Sequence, residues 1–269
     1  MEGRLGRIGR GSLILLAALA VSAPLAAAPP GPTDRRVPLE PTSWPFTAIG
    51  RVNVVTGPGH RGHCTGTLVG PRQVLTAAHC FYDARLATMV KPHQVHFVAG
   101  QARDRNGGSS VASAIQVAPG FDLRPTAEAP PGTIPPGMLG RDWAIVTLAE
   151  PIPGVKPVRV RPLSGASLPD AVPGAVVALA GYARDRPYLP SIHRGCSARL
   201  DAPEPGLLAS RCESLPGESG SAVLLLSDDG GATIVGIQTA IRQGGGDAAT
   251  GLGVAAGTFA PALEAALKE

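Results

Sequence analysis

Residues 64–80, CTGTLVGPRQVLTAAHC, form the most informative stretch of the sequence. Cys64 and Cys80 bracket a short apolar run, which we interpret as two strands, residues 64–69 and 73–76. His79 directly precedes the second cysteine. A lone histidine in such a setting is more often a packed core residue than a catalyst. Its role therefore depends on what the rest of the chain supplies.

The composition favours a protein built from many short strands. The chain has 269 residues, of which 44% are hydrophobic and only 4% aromatic, with 35 glycines and 28 prolines. From position 46 onward, short apolar runs alternate with turn residues, and no long helical pattern separates them, so we predict an all-β barrel or sandwich. A last segment has helical spacing, with Phe259, Leu263 and Leu267 on one face and Thr258 in position to cap it.

The N-terminal residues 1–28 have the three parts of a secretory signal peptide. A basic segment, MEGRLGRIGR, precedes the apolar run LILLAALAV and the small residues APLAAA. The apolar run is too short to span a bilayer, so we expect secretion to the periplasm or the extracellular space without stable membrane insertion. The alternative is a short membrane anchor. The proline-rich residues 29–43 are predicted to be a propeptide or linker, and residues 44–269 the main domain.

Export makes disulfide bonds feasible. The four cysteines allow three connectivities, of which the pairing of sequence neighbours is the simplest. Because neither Cys-x-x-Cys nor His-Glu-x-x-His occurs, we expect no metal site, and we expect no cofactor. The net charge is +4, with no basic cluster interleaved with aromatics, so nucleic acid is not an expected partner. No repeat or coiled coil is evident, and we expect a monomer.

Two further segments carry side chains that complement His79. Asp142 stands at the head of an apolar strand in RDWAIVTL (141–148), and Ser219 lies in the glycine-flanked turn LPGESGSAV (215–223). Separately, Asp142 could be a strand cap and Ser219 an ordinary turn serine. Together they supply what acyl transfer needs: a hydroxyl nucleophile, an imidazole base and a carboxylate that orients the base. The backbone N–H groups of Gly217 and Ser219 are candidates for an oxyanion hole.

These three blocks resemble the catalytic blocks of the trypsin/chymotrypsin-like serine peptidases, in the same order, over roughly residues 44–260. The small number of cysteines and the segment TDRRVPLEPTSWPFTAIG resemble the secreted bacterial branch related to the glutamyl endopeptidases. The resemblance implies two packed six-stranded antiparallel β-barrels, approximately residues 44–150 and 151–257. It also implies an active site between the barrels and a short C-terminal helix.

The resemblance assigns a role to each candidate residue. His79 is the general base, Asp142 its partner, Ser219 the nucleophile, and Gly217 with Ser219 the oxyanion hole. The implied disulfide bonds are Cys64–Cys80 and Cys196–Cys212. The implied function is a secreted serine endopeptidase that hydrolyses proteins or peptides through an acyl-enzyme. The alternatives are a non-catalytic homologue that binds proteins through the same cleft, and a serine esterase.

The residue before Ser219 departs from the family pattern. It is Glu218 here, whereas the family usually has an aspartate, which in the trypsin branch pairs with a new N-terminus made by cleavage. The Arg35-Arg36-Val37 sequence lies about as far before His79 as that cleavage site does. One hypothesis is that cleavage after Arg36 frees Val37 to pair with Glu218. The alternative is that the two arginines are the end of a propeptide and no such switch exists.

The expected substrate pocket also has its own residues. Glu213 lies six residues before Ser219, where trypsin carries the aspartate of its pocket, which favours a basic residue before the cut. The alternative is that Glu213 points to solvent. Gln238 stands where the glutamyl endopeptidases carry a histidine. Thr239 begins the segment that shapes the pocket wall in the family.

Overall fold

Short antiparallel strands make up most of the residues that the computed structural model describes, which are 34–57, 59–124, 133–135, 137–163, 174–200, 206–242 and 250–268. The predicted signal peptide, residues 1–28, lies outside the described residues, as do residues 29–33 of the predicted propeptide or linker. The residues from Asp34 onward form one unit. No helix in the described ranges is both long enough and apolar enough to span a membrane.

The strands of the first half are β1 (Val37–Pro38), β2 (Ile49–Gly57), β3 (His60–Leu68), β4 (Gln73–Thr76), β5 (Tyr82–Asp83), β6 (Thr88–Met89), β7 (Val95–Ala99), β8 (Gly108–Val117) and β9 (Ala144–Leu148). Those of the second half are β10 (Arg159–Val160), β11 (Val176–Gly181), β12 (Ser191–Arg194), β13 (Ala198–Arg199), β14 (Leu207–Ser210), β15 (Ala222–Leu226), β16 (Ala232–Arg242) and β17 (Thr250–Ala255). A C-terminal helix, α1, spans Ala256–Ala266. Short 3₁₀ turns lie at Phe46–Ala48, Ala78–Phe81, Pro92–Gln94 and Leu139–Arg141.

The first half closes into a six-stranded barrel in the order β2-β3-β4-β9-β8-β7. The alternation of side chains explains why these strands pack in this way. In β2, Val52 and Val54 are buried inside the barrel, whereas Arg51 and Asn53, which alternate with them, are only partly covered. A strand with this period of two buries one apolar face and leaves the other for polar groups.

The second half forms one sheet whose path runs β12-β11-β15-β16-β17-β14-β13. Strand β1 precedes β12 on this path, and β12 and β13 follow each other in the sequence with only residues 195–197 between them. Strands near the two ends of the sheet therefore lie on one continuous stretch of chain. This arrangement confirms the predicted all-β architecture of two barrel-like halves.

Strand β15, which follows the serine turn, is buried on both faces. Ala222 and Leu224 pack into the large core that also contains the first barrel, whereas Val223 and Leu225 pack into the smaller core of the second half. A strand that is covered on both faces has a continuous run of apolar residues in its sequence, whereas a strand with one exposed face alternates apolar and polar residues. The turn that carries Ser219 is consequently anchored to a rigid strand.

Helix α1 packs against the first half of the chain. The Phe259 ring lies 6.4 Å from the ring of Trp143, and Gln73 donates a hydrogen bond of 3.1 Å to the Ala266 carbonyl. Phe259 is buried as predicted, but Leu267 follows the helix and is 43% exposed. The predicted cap is also wrong, because α1 begins before Thr258, whose hydroxyl donates to the Gly206 carbonyl instead.

Residues 34–43, predicted as part of a propeptide or linker, pack against the second half. Val37 and Pro38 form β1, which pairs with Ile192 and Ser191 in β12. The backbone N–H of Leu39 donates to the Pro190 carbonyl at 2.8 Å. This segment is therefore integrated into the fold at a point close to the serine turn.

Candidate active site

His79 lies in the 3₁₀ turn that follows β4. The turn is tied to the barrel by the disulfide bond between Cys80 and Cys64 of β3. The second predicted disulfide bond, Cys196–Cys212, is also present, beside the connection between β12 and β13. Both disulfide predictions are confirmed. The first bond restricts the chain next to His79, which suits a side chain that must hold one orientation.

Asp142 contacts His79 at two points. Its Oδ2 atom lies 2.7 Å from Nδ1 of the imidazole, and its Oδ1 atom accepts the backbone N–H of His79 at 2.8 Å. The Asp142 side chain is completely buried at the start of β9. Burying a carboxylate is costly unless it is well paired, and both oxygens here have a partner. The two contacts together fix the imidazole with its Nε2 atom free to act.

The environment changes the basicity of His79. Burial alone would lower the pKa of the imidazole, but the Asp142 charge and its hydrogen bond outweigh burial and raise the pKa above the ordinary value of 6.5. A base of this kind is a better proton acceptor than a free imidazole. Because its pKa is raised, however, the His79 imidazole becomes neutral, and can act as a base, only at a correspondingly higher pH.

A tight turn precedes Ser219. The Glu218 N–H donates to the Leu215 carbonyl at 3.1 Å, and Gly217 has a φ of 101°. Pro216 and Gly217 are the residues that a type II turn favours at its two central positions, because the second of them needs a positive φ. Any side chain on Gly217 would also collide, since a Cβ would lie 2.6 Å from the Tyr182 carbonyl oxygen.

The backbone N–H groups of Gly217 and Ser219 have no acceptor among the residues that the structure describes. They are thus available for a substrate oxyanion. The turn also lies against the strand that leads to His79, because a Cβ on Gly220 would meet the Thr76 hydroxyl at 2.2 Å. Within the described part of the chain, the Ser219 hydroxyl makes no hydrogen bond to His79; such contacts often form only when substrate binds.

Thr65 links the two halves at the site and was missed by the sequence analysis. Its backbone N–H donates to the Ser219 carbonyl at 2.9 Å. Its hydroxyl donates to the Gly217 carbonyl at 3.1 Å and accepts the Tyr182 N–H at 2.8 Å. Thr65 is fully buried. Only its position next to Cys64 could have drawn attention to it in the sequence.

We expect Thr65→Val to lower kcat about tenfold. Valine has the same shape, but it leaves the Gly217 carbonyl and the Tyr182 N–H without a partner, at a cost of about 1–3 kcal/mol each. Thr65→Ser, which keeps the hydroxyl, should retain most of the activity. The measurements are kcat and Tm for both variants. A valine variant with a lower Tm but unchanged kcat would show that Thr65 supports the fold and not the oxyanion turn.

Glu218 is buried and points away from the substrate side of the turn. One carboxylate oxygen accepts the Leu215 N–H at 2.7 Å, and the other accepts the Ser191 hydroxyl at 3.3 Å. The cation beside it is Arg36, 3.6 Å away, and not Val37, whose side chain is 55% exposed. The hypothesis that cleavage frees the Val37 amino group to pair with Glu218 stays a prediction, because the Arg36–Val37 bond is intact in this structure.

A cleft of about 200 Å³ adjoins Ser219. It is lined by Ser214, Leu215, Pro216, Ser219, Gln238, Thr239, Ala240 and Ile241. The predicted pocket residues Gln238 and Thr239 are therefore brought to the site. The polar atoms of both are engaged internally, since Gln238 donates to the Ala240 carbonyl and Thr239 to the Leu252 carbonyl.

Glu213, the third predicted pocket residue, is not among the lining residues of this cleft. Its carboxylate instead pairs with Arg35, whose Nε lies 2.8 Å from Oε1 and whose backbone N–H donates to Oε2. Both side chains are partly exposed, at 27% and 59%. The Glu213 N–H donates to Nδ1 of the buried His193. The carboxylate is thus oriented toward the N-terminal segment.

A larger hollow, of about 470 Å³, lies on the β2–β3 hairpin beside Cys80. Its lining includes His60, His63, Arg61 and Arg85, but not Ser219 or Asp142. Its size alone does not make it the reacting site, since no nucleophile and base meet there. In the described part of the chain, the one grouping with the spacing of metal ligands is Cys64, His79 and Cys80, whose sulfurs are joined in a disulfide bond.

The comparisons with known proteins agree with this geometry. The model of the trypsin-like peptidase domain matches residues 64–237. Serine protease 23 of Bos taurus is 32% identical over 191 residues, which cover 67% of this chain and 46% of that protein. Cercarial protease of Schistosoma mansoni is 32% identical over 146 residues, 54% of this chain and 50% of that protein. The chain thus spans about half the length of these curated relatives.

A solved structure, that of a Glu endopeptidase in complex with MPD, is similar with a TM-score of 0.65. The match covers 88% of this chain and 98% of that chain at 21% identity, which shows a shared fold. The resemblance inferred from the three sequence blocks is confirmed by these matches. The chain belongs to the trypsin-like peptidase family.

Proposed function

We propose that the protein is a serine endopeptidase in which Ser219 is the nucleophile, His79 the general base and Asp142 the residue that orients the base. The observation that carries this proposal is the pair of contacts from buried Asp142 to the ring and backbone of His79. A structural histidine needs one hydrogen-bond partner, whereas this arrangement fixes the tautomer with the proton on Nδ1. Nε2 is then left as a proton acceptor.

In the first half of the reaction, Nε2 of His79 takes the proton of the Ser219 hydroxyl as its oxygen attacks the peptide carbonyl carbon. The developing oxyanion accepts hydrogen bonds from the Gly217 and Ser219 N–H groups. The imidazolium is stabilised by Asp142 and then protonates the leaving amine, which leaves an acyl-enzyme. In the second half, His79 takes a proton from water as the water oxygen attacks the ester carbonyl, and the imidazolium then returns the proton to the Ser219 oxygen as the carboxylic acid product leaves.

We propose that the mature protein is secreted, to the periplasm or the extracellular space, and acts on proteins or peptides as a monomer. Two disulfide bonds support an oxidising compartment, since such bonds are rare in reducing ones. The secretory pattern of residues 1–28 supports export. Analysis of culture fractions by mass spectrometry tests this, and retention of residues 1–28 in a cytoplasmic product would contradict it.

The residues that line the cleft determine which substrate side chain is preferred before the cut. The preference for a basic residue before the cut depends on a free Glu213 carboxylate, and Arg35 occupies that carboxylate in this structure. The lining of the cleft is apolar or neutral. We therefore propose that the side chain before the cut is uncharged, and that a basic preference arises only if substrate displaces Arg35.

We expect a proteome-derived peptide digest to show cleavage mainly after uncharged residues, and Glu213→Gln to leave this preference unchanged. The reason is that a carboxylate outside the cleft cannot select side chains within it. The measurement is the residue frequency before the cut for the wild type and the variant, with Ser219→Ala as the blank. Cleavage after Arg or Lys that is lost in Glu213→Gln would restore the basic-pocket interpretation.

The same digest, with an ester substrate assayed beside it, separates the alternative functions. A non-catalytic homologue would give no cleavage above the Ser219→Ala blank, and an esterase would hydrolyse esters but no peptide. The free N–H groups of Gly217 and Ser219 favour a catalyst, because a protein that only binds has no need of an unoccupied oxyanion site.

A further inference from the structure

A buried arginine lies beside the residue that precedes Ser219. The Arg36 side chain is 4% exposed and the Glu218 side chain 2% exposed, with 3.6 Å between the guanidinium and Oε2. The guanidinium also lies 2.8 Å from Oδ2 of Asp34 and 3.1 Å from Oδ2 of Asp185. A buried charge is costly unless it is paired on several sides. This ion-pair network extends from the buried Arg36–Glu218 pair to Asp34 and Asp185, whose side chains are 43% and 40% exposed.

The network reaches the oxyanion turn through Glu218. The same carboxylate oxygen that faces Arg36 accepts the N–H of Leu215, the first residue of the turn that presents Gly217. The other oxygen accepts the hydroxyl of Ser191, which pairs with Pro38 across the β1–β12 ladder. The position of Arg36 is thereby coupled to the backbone that supplies the N–H donors.

The bond after Arg36 is poorly placed for cleavage. A peptidase that cuts after arginine must take that side chain into its own pocket, and the Arg36 side chain is buried. Val37 lies in β1 and is paired with Ile192. Proteolysis favours exposed loop tips, whereas here the side chain before the bond is buried and the residue after it is paired in a strand.

We propose that Arg36 is the resident cation that holds Glu218 and the oxyanion turn, so that the protein is active with the Arg36–Val37 bond intact. This inference rests on the proposed peptidase function and adds a positioning residue to it. Arg36 takes the place of the new N-terminus that the trypsin branch obtains by cleavage. The glutamate at position 218, one methylene longer than aspartate, spans the distance to a guanidinium supplied by the neighbouring chain segment.

The pair also gives a measurable pH signature. The net pKa of Glu218 is raised to about 7, mainly because the carboxyl is buried. The Asp185 charge also raises this pKa, whereas the Leu215 N–H, the Arg36 charge and the Ser191 hydroxyl lower it. Removing the Arg36 charge therefore raises the pKa further. The ionised carboxylate, which is the form that pairs, would then be reached only at higher pH.

The test compares Arg36→Met, Arg36→Lys and a matched control, Arg105→Met, which breaks an exposed pair with Glu40. The readouts are the rate of labelling by a fluorophosphonate probe and kcat and KM for a peptide, each across the neutral pH range. Mass spectrometry of the labelled species identifies its N-terminus.

We expect Arg36→Met to lower kcat roughly 10- to 100-fold with little change in KM, because a loosened turn weakens donors that are worth on the order of 10²–10³ in kcat. Its activity should rise with pH later than that of the wild type. Arg36→Lys should have a smaller loss of kcat and a smaller pH shift than Arg36→Met. Arg105→Met should show neither effect. The labelled wild type should contain residue 36.

Four results would overturn the inference. A labelled species that always begins at Val37 would assign the role to the new N-terminus. An Arg36→Met variant that labels at the wild-type rate, or that loses activity without any shift in its pH profile, would leave Arg36 with a purely structural role. A wild type that does not label at all would overturn the proposed function itself, and the inference with it.

Discussion

Ser219→Ala is expected to lower kcat by about 10⁵–10⁶-fold and to abolish labelling by a fluorophosphonate probe. In the proposed mechanism the hydroxyl of Ser219 forms the acyl bond, and alanine supplies no substitute for it. Effects of this size are typical when the nucleophile of such a triad is removed, because His79 and Asp142 then have no hydroxyl to activate. Steady-state kinetics and mass spectrometry of the labelled protein measure the two effects.

The matched control for this experiment is Ser113→Ala. Ser113 lies on the exposed face of β8, where its hydroxyl donates to the Thr147 carbonyl, far from the turn at residues 215–220. This variant should label and turn over like the wild type. Labelling that persisted in Ser219→Ala would mean that another hydroxyl is the nucleophile. Absence of labelling in every variant would favour a non-catalytic homologue.

The sequence indicated the candidate catalytic residues more readily than the contacts that hold them in place. His79, Asp142 and Ser219 each sit in a short motif whose local constraints are visible: a cysteine beside the histidine, a strand start and a glycine turn. The pairing of His79 with Asp142 could be inferred because one chemistry needs both side chains. The residues alone left three disulfide connectivities open, and the resemblance to the family implied the pairing of sequence neighbours that the structure contains.

The contacts that support the site could not be predicted, because they join segments with no local signature. Arg36 meets Glu218, and Arg35 meets Glu213, across about 180 residues of intervening chain. Neither periodicity nor spacing encodes which of two adjacent arginines turns inward. The sequence suggested a freed Val37 amino group for Glu218 and the substrate for Glu213, and it gave no signal for the arginines that lie beside both carboxylates in the structure.

Asp142→Asn is expected to lower kcat on the order of 10⁴-fold, the size of effect typical of this change in serine peptidases. His79 presents two N–H groups to Asp142, one from its backbone and one from Nδ1, and both need an acceptor. Asparagine has one acceptor oxygen and one donor nitrogen. If its oxygen keeps the backbone N–H, its NH₂ group faces Nδ1, so the imidazole carries its proton on Nε2 and cannot accept one from Ser219.

The pH profile separates this mechanism from a general loss of structure. In the wild type the pKa of His79 is raised by Asp142, so kcat/KM should increase as pH rises through a value above 6.5. Without the carboxylate charge the pKa falls, and the residual activity of Asp142→Asn should appear at lower pH than in the wild type. Asp122→Asn, which changes an exposed acid paired with Arg124, should leave the profile unchanged. A variant at position 142 with reduced activity but an unshifted profile would show that Asp142 does not set the charge state of His79.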